Sequence, residues 1–189
     1  MSDMRPSVPS SDYKYNDYWR ALGQMIHEFA MVEFLLGLYI GKVAGIKPPE
    51  SRAIFSGSAR VRSAIEMIRR IEASRSKKSP LEDIFNQLAH INTLRNDIVH
   101  HAGLDAGDGT FSVTNYNEAH TAAKKKTFIV TVDLLEDVIT DLRKAQYHLG
   151  DELAHFSDDN QFIKTILDSA WLYKPPQPVR DSAKSQNSN

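Results

Sequence analysis

Apolar side chains recur at three- and four-residue intervals along most of the chain, and that spacing marks helices rather than strands. The longest stripe begins near Asn16 and runs through Leu22, Met25, Ile26, Phe29, Val32, Leu36, Tyr39, Ile40 and Val43, until Gly45, Pro48 and Pro49 end it. A second stripe, from about Glu50 to Ala73, carries Ile54, Phe55, Val61, Ile65, Ile68 and Ile71 on its buried side. Ser79-Pro80-Leu81-Glu82 then reads as a helix start, with Ser as cap, Pro in the first turn and Glu closing a capping box. This third helix should bury Leu81, Ile84, Leu88, Ile91, Leu94 and Ile98. It is expected to stop near Ala102-Gly103, where glycine tolerates the left-handed conformation.

The helical rhythm fails between 104 and 132. Gly107-Asp108-Gly109 reads as a turn, and β-branched and aromatic residues fill Thr110 to Tyr116 and Thr127 to Val132, which predicts a small hairpin. The segment 117–126 between them fits either a loop or a helical turn. Asp133, with Glu136 after it, is expected to cap a fourth helix reaching about Phe156, with Leu134, Leu135, Val138, Ile139, Leu142, Ala145, Leu149 and Leu153 inward. A shorter fifth helix is expected from Asp159 to Leu172. The polar stretch 1–13 reads as a flexible arm, and 174–189, opening on Pro175-Pro176-Gln177-Pro178, as a disordered tail. The expected fold is one all-α domain over 14–173, an up-and-down bundle of about five helices with a small β-hairpin insertion after helix three.

Composition narrows the function. With 189 residues and 41% hydrophobic content the chain can build one substantial core. A net charge of −1 provides no overall basic field, so a nucleic-acid site would have to be a local patch. The absence of cysteine removes disulfides, thiol nucleophiles and cysteine metal sites, and suits a reducing compartment. The N-terminus lacks the apolar stretch of a signal peptide, and the apolar run Phe29–Ile40, broken by Glu33, is short of the ~20 residues that span a bilayer. A cytoplasmic protein without membrane association is expected.

Two charged features stand out from this scaffold. Glu33 falls within the apolar face of the first helix, where a carboxylate is costly unless paired. It fits either a side chain snorkelling at the edge of the stripe or a functional group. The second helix carries Arg60, Arg62, Arg69 and Arg70 opposite its apolar side, followed by Arg75, Lys77 and Lys78. Such a run is a solvated face, or a surface that attracts the phosphates of RNA.

The chemistry concentrates in Leu94-Arg95-Asn96-Asp97-Ile98-Val99-His100-His101, at the end of helix three. Asn, Asp and His all rank low in helix interiors, so local propensity does not account for the cluster. On a helical projection Arg95 lies in the apolar stripe beside Ile91 and Ile98, with Asn92 and Asn96 at its border and His100 on the far side. A half-buried arginine needs an anion, and Glu33 is the natural partner. An arginine fork suits phosphate, and an imidazole passes protons near neutral pH. Together with an orienting amide they make a set for phosphodiester transesterification. The plain structural alternative is a histidine favoured by the helix dipole and an arginine held in an ion pair. No metal or other cofactor is expected, because adjacent histidines on a helix point about 100° apart and no zinc-type spacing is present. Arg95 and His100 are not superposed on the helix, so a symmetric dimer with this turn at its axis would bring two sets into one cleft.

Arg95-Asn96-Asp97-Ile98-Val99-His100 resembles the motif of the HEPN superfamily, an Arg and a His four to six residues apart with a polar residue commonly after the Arg. The context is similar too: a long first helix with an acidic residue in its apolar face (Glu33), the motif late in a later helix, and Thr131-Val132-Asp133-Leu134-Leu135 opening the next. The resemblance covers about residues 14–156. It implies a dimeric helical bundle and, in many members, a metal-independent endoribonuclease that leaves a 2′,3′-cyclic phosphate in toxin–antitoxin or phage-defence systems. On that resemblance Arg95 and His100 are the catalytic pair, Asn96 the polar residue after the Arg, and Glu33 the acidic position some members use. His101 also falls inside the permitted spacing. An antitoxin or immunity partner would accompany such an activity. The alternative function is a non-catalytic helical module that binds a nucleotide or a partner chain.

Overall fold

The long first stripe forms α1 (Tyr13–Ala44), the helix around which the fold is built. The computed structural model describes residues 13–55, 60–107, 110–114, 127–153, 165 and 167–175. Met25, Phe29, Val32, Leu36 and Ile40 of α1 are buried against neighbouring helices, chiefly α5 (Val132–Glu152), α3 (Val61–Ser74) and α2 (Pro48–Phe55). Gly45, with φ of +76°, ends α1 in a conformation that costs glycine little. Gly41 has a different role. A Cβ there would lie 2.6 Å from Ser51 Cβ, so the missing side chain lets α2 cross close over α1, where Ser51 Oγ donates to the Gly37 carbonyl.

The stripe predicted as one helix over 50–73 is two. α2 stops at Phe55 and α3 starts at Val61, with Arg60 in a non-helical conformation (ψ 140°) between them. The apolar periodicity continues on both sides, so it gave no sign of the break that the extended backbone of Arg60 marks. Ile54, expected to be buried, is exposed.

Helix four, α4 (Glu82–His100), begins without the predicted capping box. The residue before it is Leu81, Ser79 Oγ accepts from the Leu81 N–H, and Glu82 reaches out to Arg69 of α3 rather than back to the chain. A tertiary ion pair therefore replaces the local cap. At the other end Gly103 is not a left-handed terminator. His101 is extended (φ −110°, ψ 151°) and the chain passes straight into β1 (Ala102–Gly107).

The predicted hairpin is thus a three-stranded antiparallel sheet in the order β1-β2-β3, with β2 at Thr110–Thr114 and β3 at Thr127–Val130. β1 was hidden because Ala-Gly-Leu-Asp-Ala-Gly has almost no strand propensity. Residues 108–109 and 115–126, including the expected turn and the segment left open, lie outside the described residues. Phe111, Val113 and Val130 are buried under the sheet, and Phe111 stacks on Tyr18 of α1 with ring centroids 3.8 Å apart.

α5 starts with Thr131, whose Oγ1 accepts from the Leu134 N–H at 3.1 Å. The cap is two residues earlier than the predicted Asp133, which sits in the first turn. The fifth predicted helix lies mostly outside the described residues. Residues 167 and 168 are helical, but from Ser169 the chain bends and runs without helix to Pro175, short of the predicted end at Leu172. Its backbone is caught by buried polar groups. Asp141 of α5 accepts from the N–H groups of Leu172 and Tyr173 (2.9 Å each), and Gln87 of α4 donates to both Asp141 and the Tyr173 carbonyl. Lys144 donates to the Ser169 carbonyl and lies over the Trp171 ring. Among the described residues the molecule is mostly helical, with five helices and one small sheet, rather than a pure bundle. By length and mean hydropathy α1 does reach what a membrane span needs, which the broken apolar run had not shown.

Candidate active site

The motif occupies the last two turns of α4, where the helix leaves the core. Arg95 lies on the arc that buries Ile91 one turn earlier, yet Val99 one turn later is exposed, so the guanidinium stands at the boundary of the core. Its Nη1 donates to Asn96 Oδ1 at 3.2 Å, and its Cζ lies 5.5 Å from the centroid of the buried Phe29 ring on α1. Arg95 Nε is buried with no hydrogen-bond partner among the described residues.

Glu33 lies one turn beyond Phe29 on α1, and the structure corrects the expected contact pair. No hydrogen bond or ion pair within 4.0 Å joins it to Arg95 among the described residues. Burial pushes the Glu33 carboxyl above the usual carboxylate range, and the positive charge of Arg95 offsets only part of that. The two groups sense each other across the α1–α4 boundary without touching.

The two histidines part company. His100, the last residue of α4, is exposed. His101 is drawn inward, with 9% of its side chain exposed and Nδ1 3.7 Å from Asp97 Oδ1. Its N–H also donates to the Asp97 carbonyl at 3.1 Å, closing the final turn. The negative charge of Asp97 also contributes, after burial, to raising the Tyr173 hydroxyl above its ordinary value, which brings the C-terminal segment near the motif. Asp97 stood within the motif without a role of its own, and Tyr173 was not singled out in the sequence. The spacing of Asp97 four residues before His101 was a usable signal, whereas nothing local pointed to Tyr173. No hydrogen bond links Arg95 to either histidine among the described residues, in keeping with the ~140° between positions five apart on a helix.

The four arginines proposed for RNA divide as well. Arg69 is paired: Nε donates to Glu82 Oε2 at 3.2 Å and Nη2 to Asn86 Oδ1 at 3.0 Å. Arg60, Arg62 and Arg70 are exposed. The Arg69–Glu82 pair joins the C-terminal end of α3 to the N-terminal end of α4, so Arg60 and Arg62 belong to the motif half of that helical hairpin. Arg75 caps the end of α1 by donating to the Val43 and Ala44 carbonyls. Among the described residues no group of three or more His, Asp or Glu is gathered so as to hold a metal ion.

No protein-family model matches the chain, and neither a search of curated proteins nor one of solved structures finds a match.

Proposed function

We propose that the protein is a metal-independent endoribonuclease of HEPN type, acting as a cytoplasmic homodimer in a toxin–antitoxin or phage-defence setting. The observation that carries this reading is the gathering, at one end of α4, of a half-buried guanidinium and two histidines, one of them held against a carboxylate. His100, open to solvent, takes the proton of a ribose 2′-OH. The 2′-oxygen bonds to phosphorus, the bond to the 5′-oxygen breaks, and the leaving oxygen takes a proton from water or the second imidazole. Arg95, oriented by Asn96, stabilises the charge developing on phosphate. His101 supports the turn, Glu33 stands at the acidic position that some HEPN members use, and Arg60, Arg62 and Arg70 guide the RNA backbone. A dimer supplies what one subunit lacks, since Arg95 and His100 diverge on their helix. A small antitoxin or immunity protein fits as a partner.

One observation favours the alternative of a non-catalytic module: Arg95 is already occupied by Asn96 and Phe29. Wild type, His100→Ala and His101→Ala on a labelled single-stranded RNA in EDTA separate the two. The expected outcome is cleavage by wild type with 2′,3′-cyclic phosphate ends, no cleavage of DNA, and loss of ~10²–10⁴ in rate in His100→Ala. Loss only in His101→Ala moves the proton transfer to the other imidazole. Activity surviving both substitutions, or abolished by EDTA, overturns the mechanism.

A further inference from the structure

Trp19 of α1 stands half out of the surface, 54% exposed, yet its ring is held in place. Tyr18 and Phe111, both buried, stack on each other beside it. Each meets the Trp19 ring close to perpendicular, with centroids 5.3 and 5.7 Å away and interplanar angles of 83° and 68°. Neither ring lies flat against the indole. A tryptophan fixed by two rings, with half its surface open, is what stacking on another flat ring requires.

The ring stands on the motif side of α1. Trp19, Ile26 and Glu33 follow at seven-residue steps and share one line of the helix, with Leu22 and Phe29 beside it. The Arg95 guanidinium lies over the Phe29 ring, ten residues and about 15 Å along α1 from Trp19. The sheet gives a second route to the motif. Gly103 and Asp105 of β1 pair with Val113 and Phe111 of β2 and share their face, and a Cβ on Gly103 would lie 3.8 Å from Phe111 Cδ1. Gly103 is exposed and follows His101 by two residues. From Trp19 the surface therefore reaches the end of α4 over the Phe111 ring and a residue with no side chain to block the way.

The charges near the ring favour a base over a phosphate. Arg20 is paired with Asp17 at 2.9 Å, and Asp105 is exposed on the Phe111 side of the sheet. Such a surface offers little to an anion, whereas an uncharged base gains the stacking without repulsion. We infer that Trp19 is a base-stacking subsite for single-stranded RNA, holding one unpaired base a few nucleotides from the bond that is cut. The inference rests on the ribonuclease reading and adds the part of the substrate recognised beside the reacting phosphate. Any base identity serves, because every base has a π-face. Paired RNA, with its bases stacked inside the helix, is excluded.

Trp19 and Trp171 are the two tryptophans of the chain. Trp171→Phe keeps a ring against Lys144 and leaves Trp19 as the sole reporter. The probe is a 2′-O-methyl oligonucleotide, which has no 2′-OH to react. Saturable quenching of Trp19 emission is expected with the single strand, and none with its duplex or with an abasic strand of equal length and charge. Trp19→Leu, apolar but without a ring, should weaken binding of the single strand about 5- to 150-fold, and Trp19→Phe should restore most of it. On cleavable RNA the same loss should appear in KM with kcat nearly unchanged. Circular dichroism checks the fold of each variant, and the quenching itself needs no substitution at Trp19. No binding, binding without quenching, equal quenching by the abasic strand, or affinity indifferent to Trp19→Leu overturns the inference. A blue shift on phosphatidylcholine vesicles, with no response to the oligonucleotide, makes Trp19 a lipid anchor instead and overturns it too. Quenching by the single strand in a chain that cuts no RNA leaves the subsite standing and counts against the catalytic reading alone. Cleavage with an unchanged KM in Trp19→Leu does the reverse.

Discussion

Arg95 and Glu33 show how a pair of charges reads differently at close range. The sequence places both on apolar stripes, which suggests mutual neutralisation. In the fold, Arg95 turns to Asn96 and the Phe29 ring, while burial outweighs the arginine's charge in setting the Glu33 carboxyl. The sign of the stability effect follows. A carboxyl whose folded pKa is raised binds its proton more tightly in the folded state. Its contribution is fully present below the ordinary value of 4.5 and is lost as pH rises through the raised folded value. Glu33→Gln is therefore expected to match or exceed wild type in urea stability at neutral pH, and to lose that advantage on acidification. A Gln variant markedly less stable at pH 7 would restore the contact ion pair.

At the scale of elements, close approach and capping decide the boundaries. Gly41 exists to admit Ser51 of α2, so Gly41→Ala should cost about 1–3 kcal/mol by overpacking even though alanine is the better helix former. Chemical denaturation checks this, and a gain in stability would show that α2 yields freely. The helix cores were legible because a 3.6-residue apolar period survives whatever the neighbours do. The ends were not. Ser79 and Glu82 form a good local capping signature, yet Glu82 gains more from a bidentate partner in α3 than from its own backbone. β1 was invisible for the opposite reason: its residues have no strand preference, and pairing with β2 imposes the conformation.

At the scale of the molecule, one buried carboxylate ties three parts of the chain together. Asp141, 1% exposed, holds Gln87 of α4 and two successive N–H groups of the C-terminal segment. Asp141→Ala would remove the acceptor of three donors, of which the Gln87 amide and the Tyr173 N–H are buried, and is expected to cost about 3 kcal/mol or more. It should also speed hydrogen exchange at Leu172 and Tyr173 ahead of the helices. Uniform exchange across the molecule would show that the segment is not held separately. This clamp was unreadable in advance, because Asp141 and Lys144 sit beside the apolar side of α5 and look like solvent-facing charges until the returning chain covers them. By itself the sequence determined the helical character, the long apolar stripe of α1 and the candidate motif, since periodicity and residue chemistry are local. Only the tertiary structure decided where helices break and cap, that Ala102–Gly107 is a strand, that Arg69 pairs with Glu82, and that His100 and His101 differ. The helix breaks, the strand and the Arg69–Glu82 pair depend on partners in other elements, whereas the approach of His101 to Asp97 is local to the last turn of α4.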